Sequence, residues 1–447
     1  MKKLIAAIVL IASAAFAEGP RYDHERNVQL EFENVYQDIR SLDSGGGSSD
    51  PLSLTGLTVS TITASSATFT TALISSASIT VANISTANVQ NINGTFIGLG
   101  RNRAINGETR IDQANGGASS GSITASSKYS VDMFSGFGTN SAGVFTLQRQ
   151  TSTPPTGFTH YLRATTTTAS ASPGSTARYE IHSNIEGTNI RDFLFGTSGA
   201  KTFTISFWVR SSLTGTFGIG VLNGGTSRGY VATYAISAAD TWEQKRITIP
   251  GDVTGTWTIT DGSTGIQMLW DLGGGSNVET SSGAWSATFA YRTSACTRVI
   301  STNAATWDIT GLQFEMGSVA TAFEYRPIQV EIAMCQRYYE KSYNVDVAVP
   351  TNTSAGLVYF TATTTGGGAS AQFLSFKVVK NAAPGITFYT EAGSSGSWTY
   401  DRSGGSGSTS MSGVLISVNG FRADTGNMGV NWGAAQWEGH WVADARL

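Results

Sequence analysis

Phe203-Thr204-Ile205-Ser206-Phe207-Trp208-Val209 is the stretch on which the fold turns. Large apolar side chains at Phe203, Ile205 and Phe207 alternate with small polar Thr204 and Ser206. That period of two belongs to a strand with one buried face. Trp208, on the same strand, reads as a core aromatic. Further short apolar runs lie at 145–147, 179–181, 217–221, 230–231, 246–249 and 266–270, separated by Gly-containing turns. Seven or more such strands predict a two-sheet sandwich, most simply a jelly roll, across residues 100–327.

Composition agrees with that reading. The chain has 447 residues, of which 13% are charged, about half the usual quarter. Ten Trp and 52 Gly, with abundant Ser and Thr, fit an all-β protein with many turns rather than a disordered chain. The net charge of −3, with no visible Lys/Arg cluster, argues against nucleic acid as a partner. Cys296 and Cys335 lie outside any metal-ligand spacing. They read as two free buried thiols, with a disulfide in an oxidising compartment as the alternative.

Outward from the sandwich, the chain divides into further segments. Residues 1–17 have the form of an export signal: Lys2-Lys3, an apolar run, then Ala15-Phe16-Ala17. A short uncut anchor is the alternative. Residues 18–51 hold a short helix and a Gly/Ser linker, since Val28, Phe32, Val35, Ile39 and Leu42 recur at spacings of four and three. Residues 52–99 carry two rows with a period of five, one from Leu57 to Ile92 and one from Val59 to Val89. Small-then-large residues at that period predict a β-rich stalk. Two solenoid coils alone are marginal, so three chains winding together, a homotrimer, is the preferred reading. Residues 328–343 predict a linker helix, with Ile328 to Lys341 helical. Residues 344–447 predict a second, smaller C-terminal β-sandwich, with strands at 357–360, 373–379, 386–389, 414–418 and 437–441.

Several blocks in order resemble a family of bacteriophage and prophage tail-fibre proteins with a carbohydrate-binding-module-like jelly roll. Asn102 to Gln113 and Tyr129-Ser130-Val131-Asp132-Met133 look like the family's opening strand. Lys201 to Trp208 looks like its central strand, and Asp240-Thr241-Trp242-Glu243 through Asp252, with Gly255-Thr256-Trp257, like the next hairpin. Asp308-Ile309-Thr310-Gly311-Leu312-Gln313-Phe314-Glu315 looks like its closing strand. The link Glu331 to Tyr339 and the last five residues are similar to segments C-terminal to this module in such fibres. The resemblance is dense from Arg101 to Tyr343 and looser beyond. It implies a virion tail fibre that contacts other tail proteins and binds a host cell-surface glycan. Residues 1–17 depart from the pattern, because such fibres usually lack an export signal. A secreted or surface bacterial lectin is therefore the alternative localisation and function.

Site chemistry is sparse. The histidines His24, His160, His182 and His440 form no metal or triad pattern. Asp261, Asp271, Glu279 and Asp308 are scattered carboxylates without a pairing that marks a glycosidase. The expectation is a protein that is not an enzyme, with a polysaccharide depolymerase as the less favoured alternative. Trp257, Trp270, Trp285 and Tyr291 lie near Gly/Ser-rich turns, where an exposed ring can stack on a sugar; these are the glycan-binding candidates. No cofactor is expected, apart from the structural Ca²⁺ common in the modules this domain resembles. Glu108 and Asp308 are its candidate ligands.

Overall fold

The computed structural model describes residues 91–92, 95–96, 100–139, 142–364, 370–426 and 433–447. The signal-like segment, the N-terminal helix and every pentad position except Ile92 lie outside the described residues. Ala87–Leu447 form one compact unit. It is mostly β, built from antiparallel sheets that form β-sandwiches, as the alternation predicts.

A two-strand hairpin, β1 (Asn91–Ile92) and β2 (Thr95–Phe96), precedes the sandwich. Next come β3 (Ser127–Tyr129), β4 (Phe134–Gly138), β5 (Val144–Gln150), β6 (Tyr161–Thr168) and β7 (Tyr179–Glu186). These are followed by β8 (Phe203–Ser211), β9 (Gly215–Asn223), β10 (Gly229–Ile236) and β11 (Glu243–Ile249). The sandwich closes with β12 (Thr264–Asp271), β13 (Trp285–Ser286) and β14 (Thr306–Met316). One sheet runs β13-β10-β9-β12-β7-β4-β3 and the other β11-β8-β14-β6-β5.

Between the sheets the alternating residues interlock. Phe203, Ile205, Phe207 and Val209 of β8 are fully buried with Phe217, Ile219 and Val221 of β9 in one core cluster. Phe207 meets Tyr234 and Trp270 edge-on, with ring centres 5.3 and 5.9 Å apart. The Trp307 indole N–H donates to the Tyr234 hydroxyl at 3.1 Å, so this aromatic centre leaves that polar atom satisfied.

The opening segment corrects its expected strand. Residues 102–113 contain turns and no strand. Their side chains replace sheet pairing. Asn102 donates to the Leu312 carbonyl and accepts from the Phe314 and Ala104 amides. Asn106 donates to the Ile111 and Asp132 carbonyls and accepts from the Ile111 amide. Buried Asn and Asp offer the backbone a local partner, which competes with a ladder.

The linker helix is also shorter than expected. Helix α1 covers Ile328–Gln336 and ends before β15 (Tyr339–Lys341), which pairs with the long final strand. Arg337 and Tyr338 turn away to bind Glu186, so the helix stops there. Beyond it lie β16 (Val358–Thr364), β17 (Ala371–Ser375), β18 (Gly385–Tyr389) and β19 (Ser397–Arg402). The chain ends with β20 (Gly405–Ser410), β21 (Ser412–Val414), β22 (Gly420–Asp424) and β23 (Gly433–Asp444). Residues 376–379 and 415–418, expected as strand, are not; Gly- and Ser-rich β20 lacks an apolar signal, whereas β19, outside the expected strands, carries one in alternating Trp398 and Tyr400. Strand β23 pairs with β15, β16, β18 and β19 and carries the second core, where Trp398 and Trp437 are fully buried. Cys296 and Cys335 are free and buried, as read from the sequence.

Candidate functional site

A sandwich has two outer faces; here one is covered in part by an apolar segment, and the other is polar, with Thr204, Ser206, Arg210, Asp308, Thr310, Gln313 and Glu315 buried and Trp208 half-buried. Part of the outer face of the seven-stranded sheet, over β9 and β12, is roofed by Val278 and by Ala290, Tyr291 and Arg292. Gly218 and Gly220 of β9 permit that approach: a Cβ on Gly220 would lie 2.5 Å from Tyr291 Cβ, and one on Gly218 2.6 Å from the Tyr291 carbonyl. Leu222, Leu269, Val278 and Tyr291 form a small core beneath the roof. Arg292 anchors it, with Nε 2.9 Å from Asp271 and a second contact to Glu279.

The outer face of the five-stranded sheet is different. Register places Gln148, Arg163, Asp308 and Arg210 opposite one another across β5, β6, β14 and β8. Direct partners share a face, and here their neighbours Leu147, Leu162, Ile309 and Val209 face the core. Arg163 grips Asp308 through Nε and Nη2 at 2.8 and 2.9 Å, and Arg210 adds Nε at 2.8 Å. The Asp308 hydrogen bond, its largest influence, raises the pKa of Arg163 above the ordinary guanidinium value. Arg210 also lies over Tyr161 and Trp242, with ring centres 5.0 and 4.7 Å away.

The next row holds Gln244, Trp208 and Thr310 on β11, β8 and β14. Trp208 is half-buried and sits with the polar residues, so the core reading of it is corrected. Its position follows from parity: Phe203, Ile205, Phe207 and Val209 point inward, hence Thr204, Ser206, Trp208 and Arg210 point outward. The alternation around Trp208 was the signal that could have found it. Beside Trp208 the closing strand bulges between Thr310 and Gln313. Gly311 sits there with φ +63, and a Cβ would approach Phe158 Cζ to 2.7 Å and Trp208 Cδ1 to 3.1 Å. Phe158 packs on Phe323 and Tyr325 at 5.2 and 5.7 Å, and Tyr325 is 54% exposed. The face thus offers an aromatic end and a polar end side by side.

The aromatics singled out from the sequence lie elsewhere. Trp270 and Tyr291 are fully buried, the first in the main core and the second under the roof, so neither ring is accessible to a sugar. That removes both from the stacking candidates. Trp257 is 7% exposed and packs against Phe195 and Trp285 at 4.5 and 5.5 Å. Trp285 is half-buried, its indole N–H bound to the Pro250 carbonyl at 2.7 Å. These two are brought together in an aromatic cluster with Tyr230, away from the polar rows.

The calcium reading does not fit these residues. Both Asp308 oxygens are occupied by guanidinium groups, whose charge repels a cation. Burial raises the pKa of Glu108, Arg110 opposes that and Glu331 adds to it. No group of three or more candidate metal ligands occurs among the described residues. The other carboxylates are also engaged: Asp271 and Glu279 with Arg292, and Asp261 with the Ser263 amide at 2.8 Å. Among the histidines, His182 contacts Glu180, His440 contacts Ser342 and Thr353, and His160 contacts Thr159.

No family model matches the chain, and no curated protein matches it. Among solved structures it has distant similarity to carbohydrate-binding modules and to a phage tailspike domain. The enzymatically active domain of bacteriophage CBA120 tailspike protein 4 shares 11% identity and a TM-score of 0.25, covering 48% of this chain and 21% of that one. The N-terminal cellulose-binding domain of Cellulomonas fimi β-1,4-glucanase C shares 13% identity and a TM-score of 0.21, over 39% of this chain and 90% of that one. The family 11 carbohydrate-binding module of Clostridium thermocellum, in complex with a mixed-linked tetrasaccharide, shares 10% identity and a TM-score of 0.22, over 42% and 91%. At these scores the likenesses carry no argument about function.

Proposed function

We propose that this protein is a non-enzymatic, receptor-binding component of a phage tail fibre that binds host-surface glycans through the outer face of its five-stranded sheet. The observation that supports it is half-buried Trp208 on the polar outer face of this sheet, between half-buried Gln244 and buried Thr310. A flat aromatic ring covers the apolar side of a sugar, while neighbouring amides, hydroxyls and guanidinium groups bond its hydroxyls. A binder rather than a hydrolase is favoured because Asp308, the carboxylate central to this face, is held by two arginines instead of facing a second acid. In this reading three chains act together, and weak single sites add up to strong attachment. Glycan-array binding by the full chain, compared with Trp208→Ala, tests it. The expected result is a set of bacterial-surface glycans bound by the native protein and at least tenfold more weakly by the variant. Undiminished binding by Trp208→Ala would rule this face out as the binding surface.

A further inference from the structure

The outward rows of this face, on either side of Trp208, carry a charge balance that the whole chain does not. The chain's formal net charge is −3. On the outward rows of the five-stranded sheet stand three cations, Arg163, Arg210 and Arg246, and two carboxylates, Asp308 and Glu315. Both carboxylates are fully buried. Asp308 is consumed by Arg163 and Arg210. Glu315 accepts from Thr321 and Gln313 and lies 3.4 Å from Arg101. Arg210 is itself buried, but the other two cations are more accessible. Arg163 has a side chain 29% exposed and commits only Nε and Nη2 to Asp308, while Arg246 is exposed and shares a hydrogen bond with Gln244 at 2.6 Å. Exposed Asp240, at the rim, is a carboxylate that acts on Arg163 from outside the strands. A ligand laid on these rows therefore meets positive charge with the negative charge of the rows sealed beneath it.

Resting on the reading of this face as the glycan site, we propose that its ligand is an acidic glycan, whose carboxylate or sulfate groups meet Arg163 and Arg246 while a neighbouring sugar ring stacks on Trp208. Guanidinium groups bind such anions through paired N–H donors, and Arg163 is already positioned by Asp308. Partial exposure of both arginines makes the attraction sensitive to salt.

The test uses the full chain on an array of bacterial capsules and O-antigens supplemented with polygalacturonate, polysialic acid, heparin and a neutral mixed-linked glucan. Binding confined to acidic polymers is expected. It should weaken at least tenfold on raising salt from low to molar concentration, and also in Arg163→Gln and Arg246→Gln variants with unchanged near-ultraviolet circular dichroism. Carboxyl reduction of the bound polymer separates carboxylate from sulfate recognition. Binding to neutral glycans alone, or acidic binding unaffected by both arginine substitutions, overturns the acidic-ligand proposal and leaves glycan binding standing. Binding to no glycan at all overturns the underlying reading as well.

Discussion

Asp308 occupies the position where a cation ligand was expected and instead pairs with two arginines. A carboxylate buried without partners is costly, and Arg163 and Arg210 between them satisfy both of its oxygens. Asp308→Asn leaves two guanidinium groups facing one amide. The expected loss is about 2–3 kcal/mol of unfolding free energy, below the range for a fully buried pair because Arg163 is partly solvated. Chemical denaturation of variant and native protein measures it, and a change under about 0.5 kcal/mol would show that the pair contributes little. Two residue-level features were legible in the alternation yet assigned the other way, Trp270 as a stacking candidate and Trp208 as core. Ile266, Met268 and Trp270 alternate, which already places Trp270 in the core. The same parity sets Trp208 outward, against its apolar character. Tyr291 was not legible, because it sits in no strand and its burial comes from a distant sheet.

Elements were read well where one face is apolar and the other polar. Strand β8 is of this kind, whereas β9 and β12 alternate in apolar residues on the core face but bury Leu222 and Leu269 on the other. Reading failed where side chains substitute for the backbone ladder, as in the opening segment with Asn102, Asn106 and Asp132. Asp132 illustrates the local cost: burial, opposed by two hydrogen bonds from Gln113, moves its pKa up to about 6. Helix α1 was overextended because Arg337 and Tyr338 continue an apolar pattern but spend themselves on Glu186. Burial alone would raise the Glu186 pKa, yet bonds from Arg337, Thr188 and Tyr338 hold it below the ordinary carboxylate value. This link also builds the second sandwich, because β15 pairs with β23 and buried Glu340 pairs with buried Lys380. Residues 344–447 expressed alone lose both, leaving Lys380 without its counter-charge. The expected outcome is no cooperative thermal transition for that fragment, whereas Ala87–Leu447 melts as a folded protein. A sharp transition and dispersed amide resonances from 344–447 would contradict the dependence.

At the scale of the whole molecule, the export-like residues 1–17 and the fibre-like blocks from Arg101 onward point to different surroundings. Peptide mass spectrometry of purified phage particles distinguishes them. Peptides spanning 100–447 are expected in the particle, and their presence only in particle-free medium would favour a secreted lectin instead. The chain by itself determined the all-β class and most strands of the large sandwich, because period-two burial and turn residues are local properties. Only the tertiary structure decided how the two outer faces are covered. Val278, Tyr291 and Arg292 lie over β9 and β12 because glycines in β9 admit a segment some seventy residues away. It also decided that Asp308 is sealed under two arginines, since cross-strand register, not spacing along the chain, brings Arg163, Arg210 and Asp308 together.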